Sequence, residues 1–410
     1  MPLFSPKQTT ISARALEIEP FRVMDILAQA RALEAQGRDI VHMEIGEPDF
    51  PTPAPIIAAG IEALKAGHTH YTPALGLPQL REAIAAFYAT RYGVTISPSR
   101  VVVTPGSSGA LLLTLAVLLN PGDEVLLTDP GYPCNRHFAR FVEGRAVALP
   151  VTAATQFQPT AEMIAEHWSA RTRAAMLATP ANPTGTLLTL EQLQSIYQAV
   201  AARGGTLVVD EIYHGLTYGC QAETALALND DVFVINSFSK FFGMTGWRLG
   251  WLIAPEAYVD ALDRLAQNIF LAASTPAQHA ALAAFHPDTL AILEERRAVF
   301  QTRRDYLLPA LRELGFDIPI TPEGAFYLYA GCDRFGLDAE QLTQTLLLQA
   351  GIAITPGADF GRFQSASHVR FAYTTTQERL EQGVARLDAW LDGAGRFGNN
   401  RPLLPIAPYG

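Results

Sequence analysis

The sequence predicts an α/β fold, with a mostly parallel sheet of the seven-stranded type in a large domain and a smaller α+β domain beside it. Three observations point there. Short, continuous apolar runs recur over roughly the first 285 residues, and helical patterns separate several of them. Beyond that point one long charged helix leads into a few short strands. Strands that do not alternate apolar with polar are buried on both faces, as in a parallel sheet covered by helices.

The elements follow in order. Residues 21–36 read as a helix that packs on the smaller domain. Residues 77–92 carry Leu80, Ile84, Phe87 and Tyr88 at helical spacing, and Gly93 suits a left-handed terminator. Strands are expected at 100–104, 124–128, 146–149, 174–178, 206–209, 232–235 and 249–254. Between them, 107–119 reads as a buried helix closed by Asn120-Pro121-Gly122, and 190–202 as another. The long charged helix covers 287–314. Short strands follow near 325–330, 353–355 and 368–371, then a final helix over 376–391, and the tail from Gly393 reads as irregular. The division is an N-terminal arm and helix (1–47), a large domain (48–285) and a small domain (286–410).

Composition narrows the function. With 410 residues, 49% hydrophobic, the chain can bury a large core, more readily as two domains than one. A formal charge of −10 argues against nucleic acid or an anionic membrane as the main partner, while leaving room for a local basic pocket. Cys134, Cys220 and Cys332 are scattered, with no C-x-x-C pair. That suggests reduced thiols in a cytoplasmic protein, not a disulfide scaffold or zinc site. Residues 1–19 lack a long apolar stretch, so no signal peptide is expected. The most apolar run, 111–119, is too short to span a bilayer. His68 and His70 lack carboxylate partners nearby in sequence and read as structural, so no metal is expected.

In an open parallel sheet, ligands bind beyond the carboxyl ends of the strands. The residues there carry the chemistry. After 100–104 come Gly106, Ser107, Ser108 and Gly109, opening a helix. Small residues at a helix N-terminus suit an anion, or simply cap the helix. After 124–128 comes Tyr132, held between Gly131 and Pro133, fit to lie on an aromatic ring or to pack a cleft. Asn182 follows 174–178 in an Asn-Pro turn, as a turn former or as a hydrogen-bond donor. Asp210 ends the run 207–209, with Tyr213 three residues on. A carboxylate at a buried strand end wants a cationic partner, such as a protonated pyridine nitrogen, or else caps a helix. At about 4 Å and an effective dielectric of about 20 the attraction to that nitrogen is roughly 4 kcal/mol.

Lys240 sits in Ser237-Phe238-Ser239-Lys240, just past the apolar run 232–235, with Arg248 eight positions on. A lysine that loses hydration there has a lowered pKa, and its neutral amine can condense with an aldehyde. Ser237 and Arg248 then look like the grip on a phosphate attached to that aldehyde. Asn182, Asp210 and Lys240 are separated by 28 and 30 residues, about one βα unit each, so they can converge on one sheet edge.

With those residues in place, the chain resembles the fold-type I pyridoxal-phosphate enzymes, class I/II aminotransferases of the aspartate aminotransferase family. The resemblance spans nearly the whole chain. It rests on an ordered set: Gly46-Glu47-Pro48-Asp49, Tyr71-Thr72-Pro73, Gly106 to Ala110, Gly131-Tyr132, Asn182-Pro183-Thr184-Gly185, Asp210 to Tyr213, Ser237 to Lys240, Gly246 to Gly250 and Arg370-Phe371.

The resemblance implies the cofactor pyridoxal 5'-phosphate, bound through Lys240, which then serves as base and acid at the substrate Cα. It implies that Asp210 keeps the ring nitrogen protonated, that Tyr213 and Asn182 bind the ring oxygen, and that Tyr132 stacks on the ring. Ser107, Ser108, Gly109, Ser237 and Arg248 would hold the phosphate, with Ser239 a further contact. Arg370 would clamp the substrate carboxylate, Gly46 would offer it a backbone contact, and Asn182 and Tyr132 would border it. Tyr71 would reach the phosphate of a neighbouring subunit, so a homodimer is expected. The substrates are then a small L-amino acid and a 2-oxo acid, exchanged by ping-pong. A carbon–sulfur lyase or other lyase on the same fold, or a cofactor-binding regulatory module, are the alternatives. One departure stands out: some acidic-substrate members carry a lysine where Ser108 stands. The segment 11–22 normally covers the pocket in such enzymes, and Ile18, Pro20 and Phe21 would suit an apolar side chain.

Overall fold

The structure is a computed structural model that describes residues 11–396. Seven strands form the main sheet, in the spatial order Val101–Thr104, Gly250–Ile253, Phe233–Ser237, Thr206–Asp210, Thr172–Ala178, Glu124–Asp129 and Arg145–Pro150. The last five are mutually parallel. Gly250–Ile253 runs antiparallel to both its neighbours, so Val101–Thr104 shares the direction of the other five. Six strands therefore end on the same edge.

The apolar runs are continuous because the strands inside the sheet feed two cores, whereas the edge strand Arg145–Pro150 buries only Leu149. Val103, Leu126, Ala175, Leu177, Val209 and Val234 enter one core, while Val102, Val125, Leu127, Met176, Val208 and Phe233 enter the other. Alternate residues point to opposite faces, and helices cover both. Gly106–Leu118 lies against Gly250–Ile253 and Phe233–Ser237. Pro78–Tyr92 closes at Gly93, which has φ +69° and donates its N–H to Ala89 O.

The C-terminal part holds a three-stranded antiparallel sheet in the order Thr355–Pro356, His368–Ala372, Tyr327–Gly331. The 27-residue helix Pro287–Glu313 and the helix Gln377–Arg396 pack together beside it. Helix Arg22–Glu34 lies against this part, burying Val23, Ile26 and Ala30. No helix among the described residues is long and apolar enough to cross a membrane.

Two local expectations need correction. The single strand expected at 353–355 is two: Ile352–Ala353 pairs in parallel with Val41–His42, and Thr355–Pro356 joins the three-stranded sheet. Each run offers only two residues to each partner, too few for sequence periodicity to register. The irregular tail expected from Gly393 instead continues the last helix to Arg396. One glycine costs a helix about 1 kcal/mol and does not stop it. Residues 1–10 and 397–410, including the rest of that tail, lie outside the described residues.

Candidate active site

A cavity of about 510 Å³ opens beyond the strand ends. Gly46, Ser107, Ser108, Tyr132, Asn182, Asp210, Tyr213, Ser239, Lys240, Arg248 and Arg370 all line it. They come from seven separate stretches of chain, and the parallel topology gathers five of them (107–108, 132, 182, 210–213 and 239–248) on one edge. Asp210 is the last residue of its strand, and Ser237 the last of the next one. Arg370 comes from across the gap, in the middle strand of the three-stranded sheet, in register with Thr355 and Tyr329.

Lys240 donates from Nζ to Gly46 O at 2.6 Å. Burial pulls its pKa down to about 8; Glu47 opposes that, and the positive charges of Arg370 and Arg248 add to it. The amine is thus partly neutral near neutral pH. Asp210 is buried, and the one hydrogen bond to its carboxylate among the described residues comes from the Ile212 N–H at 3.1 Å. Burial raises its pKa to about 7, against the lowering effects of that N–H and of Lys240. This carboxylate would gain from a cation placed against it. Behind it, Glu211 is fully buried and accepts from the Thr224 hydroxyl (3.0 Å) and the Ala225 N–H (2.7 Å).

The helix Gly106–Leu118 points its N-terminus at the cavity with no side-chain cap. Its free N–H groups and positive dipole end favour an anion. Gly106 has φ +69°, and a Cβ there would fall 2.5 Å from Arg248 Nη2. Only glycine lets the guanidinium approach this backbone. Arg248 is itself left-handed (φ 53°, ψ 54°), unusual for a side chain of its size and a mark of a constrained site. A Cβ at Gly250 would meet Ser107 N at 2.7 Å, so that glycine lets the strand lie directly against the helix start.

Arg370 is buried and donates to Asn182 Oδ1 (2.9 Å) and Glu44 O (2.6 Å). Its guanidinium lies between the rings of Tyr327 (4.2 Å) and Phe360 (4.7 Å). Its Nε has no hydrogen-bond partner. A buried arginine with a donor to spare suits a carboxylate ligand.

A model of the family described as aminotransferase class I and II matches residues 38–387. The chain belongs to that family. This aminotransferase is 38% identical to the valine–pyruvate aminotransferase of Mycobacterium tuberculosis over 376 residues, 91% of this chain and 97% of that one. It is 32% identical to an aspartate aminotransferase of Geobacillus stearothermophilus over 396 residues, 93% of this chain and 99% of that one. A crystal structure of an aminotransferase from Mycobacterium tuberculosis superposes with a TM-score of 0.91 at 38% identity, covering 94% of this chain and all of that one. The enzyme is a pyridoxal-phosphate-dependent transaminase. The site fits that cofactor at both ends: an uncapped helix start beside Arg248 for the phosphate, and a buried carboxylate with no ion-pair partner among the described residues for the ring nitrogen.

Three residues singled out from the aminotransferase's sequence do not line the cavity. Ser237 is buried, and its hydroxyl accepts from the Ser239 N–H (3.0 Å). Gly109 sits in the first turn of its helix, against Pro105 and Thr104. Tyr71 is 82% exposed, on the outer surface. Ile18 and Pro20 stand outside as well, whereas Phe21 reaches in, its ring edge-on to Tyr132 at 6.5 Å. Val23, Met24, Ile45, Glu47, Ala178, Ile212, Thr245 and Tyr327 complete the wall and were not anticipated as lining residues. Tyr327 had no signal beyond its place in an expected strand. His68 stacks on His279 at 4.1 Å, and no group of three metal-ligating side chains occurs among the described residues.

Proposed function

We propose that this cavity is where the amino group changes hands, in a ping-pong sequence in which an L-amino acid gives its nitrogen and a 2-oxo acid collects it. The convergence of Asn182, Asp210, Tyr213, Lys240, Arg248 and Arg370 on one cavity carries the reading. Pyridoxal 5'-phosphate, when bound, supplies an aldehyde and a protonated ring that draws electrons from the reacting carbon. Lys240 provides the amine that holds the aldehyde, then takes the proton from the substrate Cα and returns it. Asp210 keeps the ring nitrogen charged. Asn182 and Tyr213 bind the ring oxygen, and Tyr132 lies against the ring face. Ser107, Ser108, Ser239 and Arg248 hold the phosphate, with Gly109 in the first helical turn and Ser237 behind Ser239 set back from the cavity. Arg370, braced by Asn182 and Glu44, receives the substrate carboxylate, with Gly46 beside it.

The same reading makes the enzyme a homodimer. Besides Tyr71, helix Ala54–Lys65 exposes Ile57, Ile61 and Leu64, spaced to form one face. An apolar stripe next to an exposed tyrosine suits cover by a second copy, with Tyr71 entering its neighbour's phosphate site. The chain divides, in this reading, into the arm 1–47, the large domain 48–285 and the small domain 286–410. Three free cysteines support a cytoplasmic location.

Borohydride reduction of the loaded enzyme followed by peptide mapping tests the centre of this account. The label should sit on Lys240. An unmodified Lys240 peptide overturns it.

A further inference from the structure

The charges around the cavity limit its substrates. Three cations line it, Lys240, Arg248 and Arg370. Under the reading above, each already has a task, in turn the aldehyde and Cα proton, the phosphate, and the α-carboxylate. The acid Glu47 adds negative charge to the same wall, while Asp210 is taken by the ring nitrogen. The nearby arginines each face another partner; Arg362 of the adjoining pocket lies 3.5 Å from Glu19. Arg22 pairs with Glu340. Arg136 donates to Glu19 (3.1 Å) and to Asp359 O (3.3 Å).

The part of the wall built by the N-terminal segment is apolar. Phe21, Val23 and Met24 come from the N-terminal segment, Ile45 from the stretch before Gly46. Met24 is 50% exposed although it borders the cavity, so a ligand side chain laid against it would remove apolar surface from water. A second carboxylate in the same place would lose hydration and find no counter-charge on this protomer's wall.

Transamination adds a constraint. Donor and acceptor visit the same cavity in turn, so whatever the wall rejects in one half-reaction it rejects in the other. Resting on the proposed site, we infer that both substrates are monocarboxylic: an amino acid with an apolar side chain and a 2-oxo acid likewise without a second carboxylate. The side chains of both lie against Phe21, Val23, Met24 and Ile45. This separates the enzyme from a dicarboxylate specificity of the aspartate type.

The test uses the full-length, cofactor-loaded enzyme and follows its visible absorbance through single half-reactions. Donors are valine, leucine and methionine against aspartate and glutamate. Acceptors are pyruvate and 4-methyl-2-oxopentanoate against oxaloacetate and 2-oxoglutarate. The best apolar substrate should exceed every dicarboxylate by at least tenfold in kcat/KM, in both directions. Any dicarboxylate within tenfold overturns the inference while leaving the transaminase site standing. If no substrate of either kind changes the spectrum, the site reading itself fails. Spectral titration with two unreactive acids gives a readout independent of turnover: isovalerate should bind more tightly than maleate, and the reverse order overturns the inference. Met24→Arg, at a half-exposed position that tolerates a long side chain, should move the ratio toward aspartate by tenfold or more. An unmoved ratio shows that this wall does not select the side chain.

Discussion

The hydroxyls of Tyr213 and Tyr327 lie 2.8 Å apart, both buried. Tyr213 follows the Thr206–Asp210 strand of the main sheet, and Tyr327 opens the Tyr327–Gly331 strand of the C-terminal sheet. Tyr327 also lies against the Arg370 guanidinium. One side chain thus touches both the residue proposed for the ring oxygen and the residue proposed for the substrate carboxylate. With Tyr213 donating to the ring oxygen, Tyr327 is left to donate to Tyr213, and chained hydrogen bonds strengthen one another. Tyr327→Phe should keep the fold and weaken that donation by about 1 kcal/mol, roughly fivefold. The pH midpoint of the cofactor's visible band should then move upward, as it should further in Tyr213→Phe. A midpoint unchanged in Tyr327→Phe would show that the hydroxyl pair does not tune the ring.

Gly46 is small because Tyr327 is there. A Cβ on Gly46 would fall 2.1 Å from the Tyr327 hydroxyl oxygen. Gly46→Ala should therefore displace Tyr327, at an overpacking cost of about 1–3 kcal/mol. It should also disturb the carbonyl that accepts from Lys240. A fall in kcat/KM of tenfold or more is expected. Because the clash is with the hydroxyl, Gly46→Ala combined with Tyr327→Phe should lose less stability than the two single losses added together. Strict additivity in thermal unfolding would mean the two positions do not press on each other.

Much of this was legible in the sequence. The strands could be read because continuous apolar runs have one common structural use, and the polar residue after each run marks the ligand edge. Asp210, Lys240 and Asn182 were found that way. Tyr327 was not, because nothing in a strand residue's neighbourhood says which distant loop it will face; its tie to Tyr213 spans 114 positions. The wall of Val23, Met24 and Ile45 escaped for a similar reason. Apolar residues on a helix such as Arg22–Glu34 look alike in sequence whether they face a core or a cavity. The two-residue strands Val41–His42 and Ile352–Ala353 are too short for any period to show.

Lys240 gives a pH prediction. Its pKa is lowered to about 8, chiefly by burial. Only the neutral amine attacks an aldehyde, so the apo-enzyme should take up pyridoxal 5'-phosphate faster as pH rises, with a midpoint near 8. Stopped-flow absorbance over pH 6 to 10 reads this directly. A midpoint near the ordinary lysine value of about 10.4 would contradict the desolvated state. Lys240→Ala should abolish the uptake band.

Arg370 gives a prediction in binding. Its planar fork is held by Asn182, Glu44 and two aromatic rings. Arg370→Lys retains charge but loses the bidentate geometry. Charge-assisted hydrogen bonds are worth about 1.5–3 kcal/mol, so kcat/KM should fall by roughly tenfold to over a hundredfold. Most of the loss should lie in KM, for donor and acceptor alike. An unchanged KM would remove Arg370 from the carboxylate site.

His42 bridges Glu34 and the buried Glu44, with Nδ1 2.7 Å from Glu44 and Nε2 3.1 Å from Glu34. The hydrogen bond to Glu44 leads in raising the imidazole pKa to about 9, with burial opposing it and Glu34 adding to the rise. The folded state therefore holds this proton more tightly than the unfolded chain, where histidine titrates near 6.5. The sign follows from linkage. The stabilisation is fully present below about pH 6.5 and fades as pH rises through about 9. Glu44 also carries the carbonyl that braces Arg370, so the loss touches the site. His42→Gln keeps a hydrogen-bond donor but no titrating charge. Calorimetry should give a difference in Tm between wild type and His42→Gln that is largest near pH 6 and shrinks steadily toward pH 9.5. A difference that stays constant across that range would mean that the imidazole is not charged in the folded enzyme.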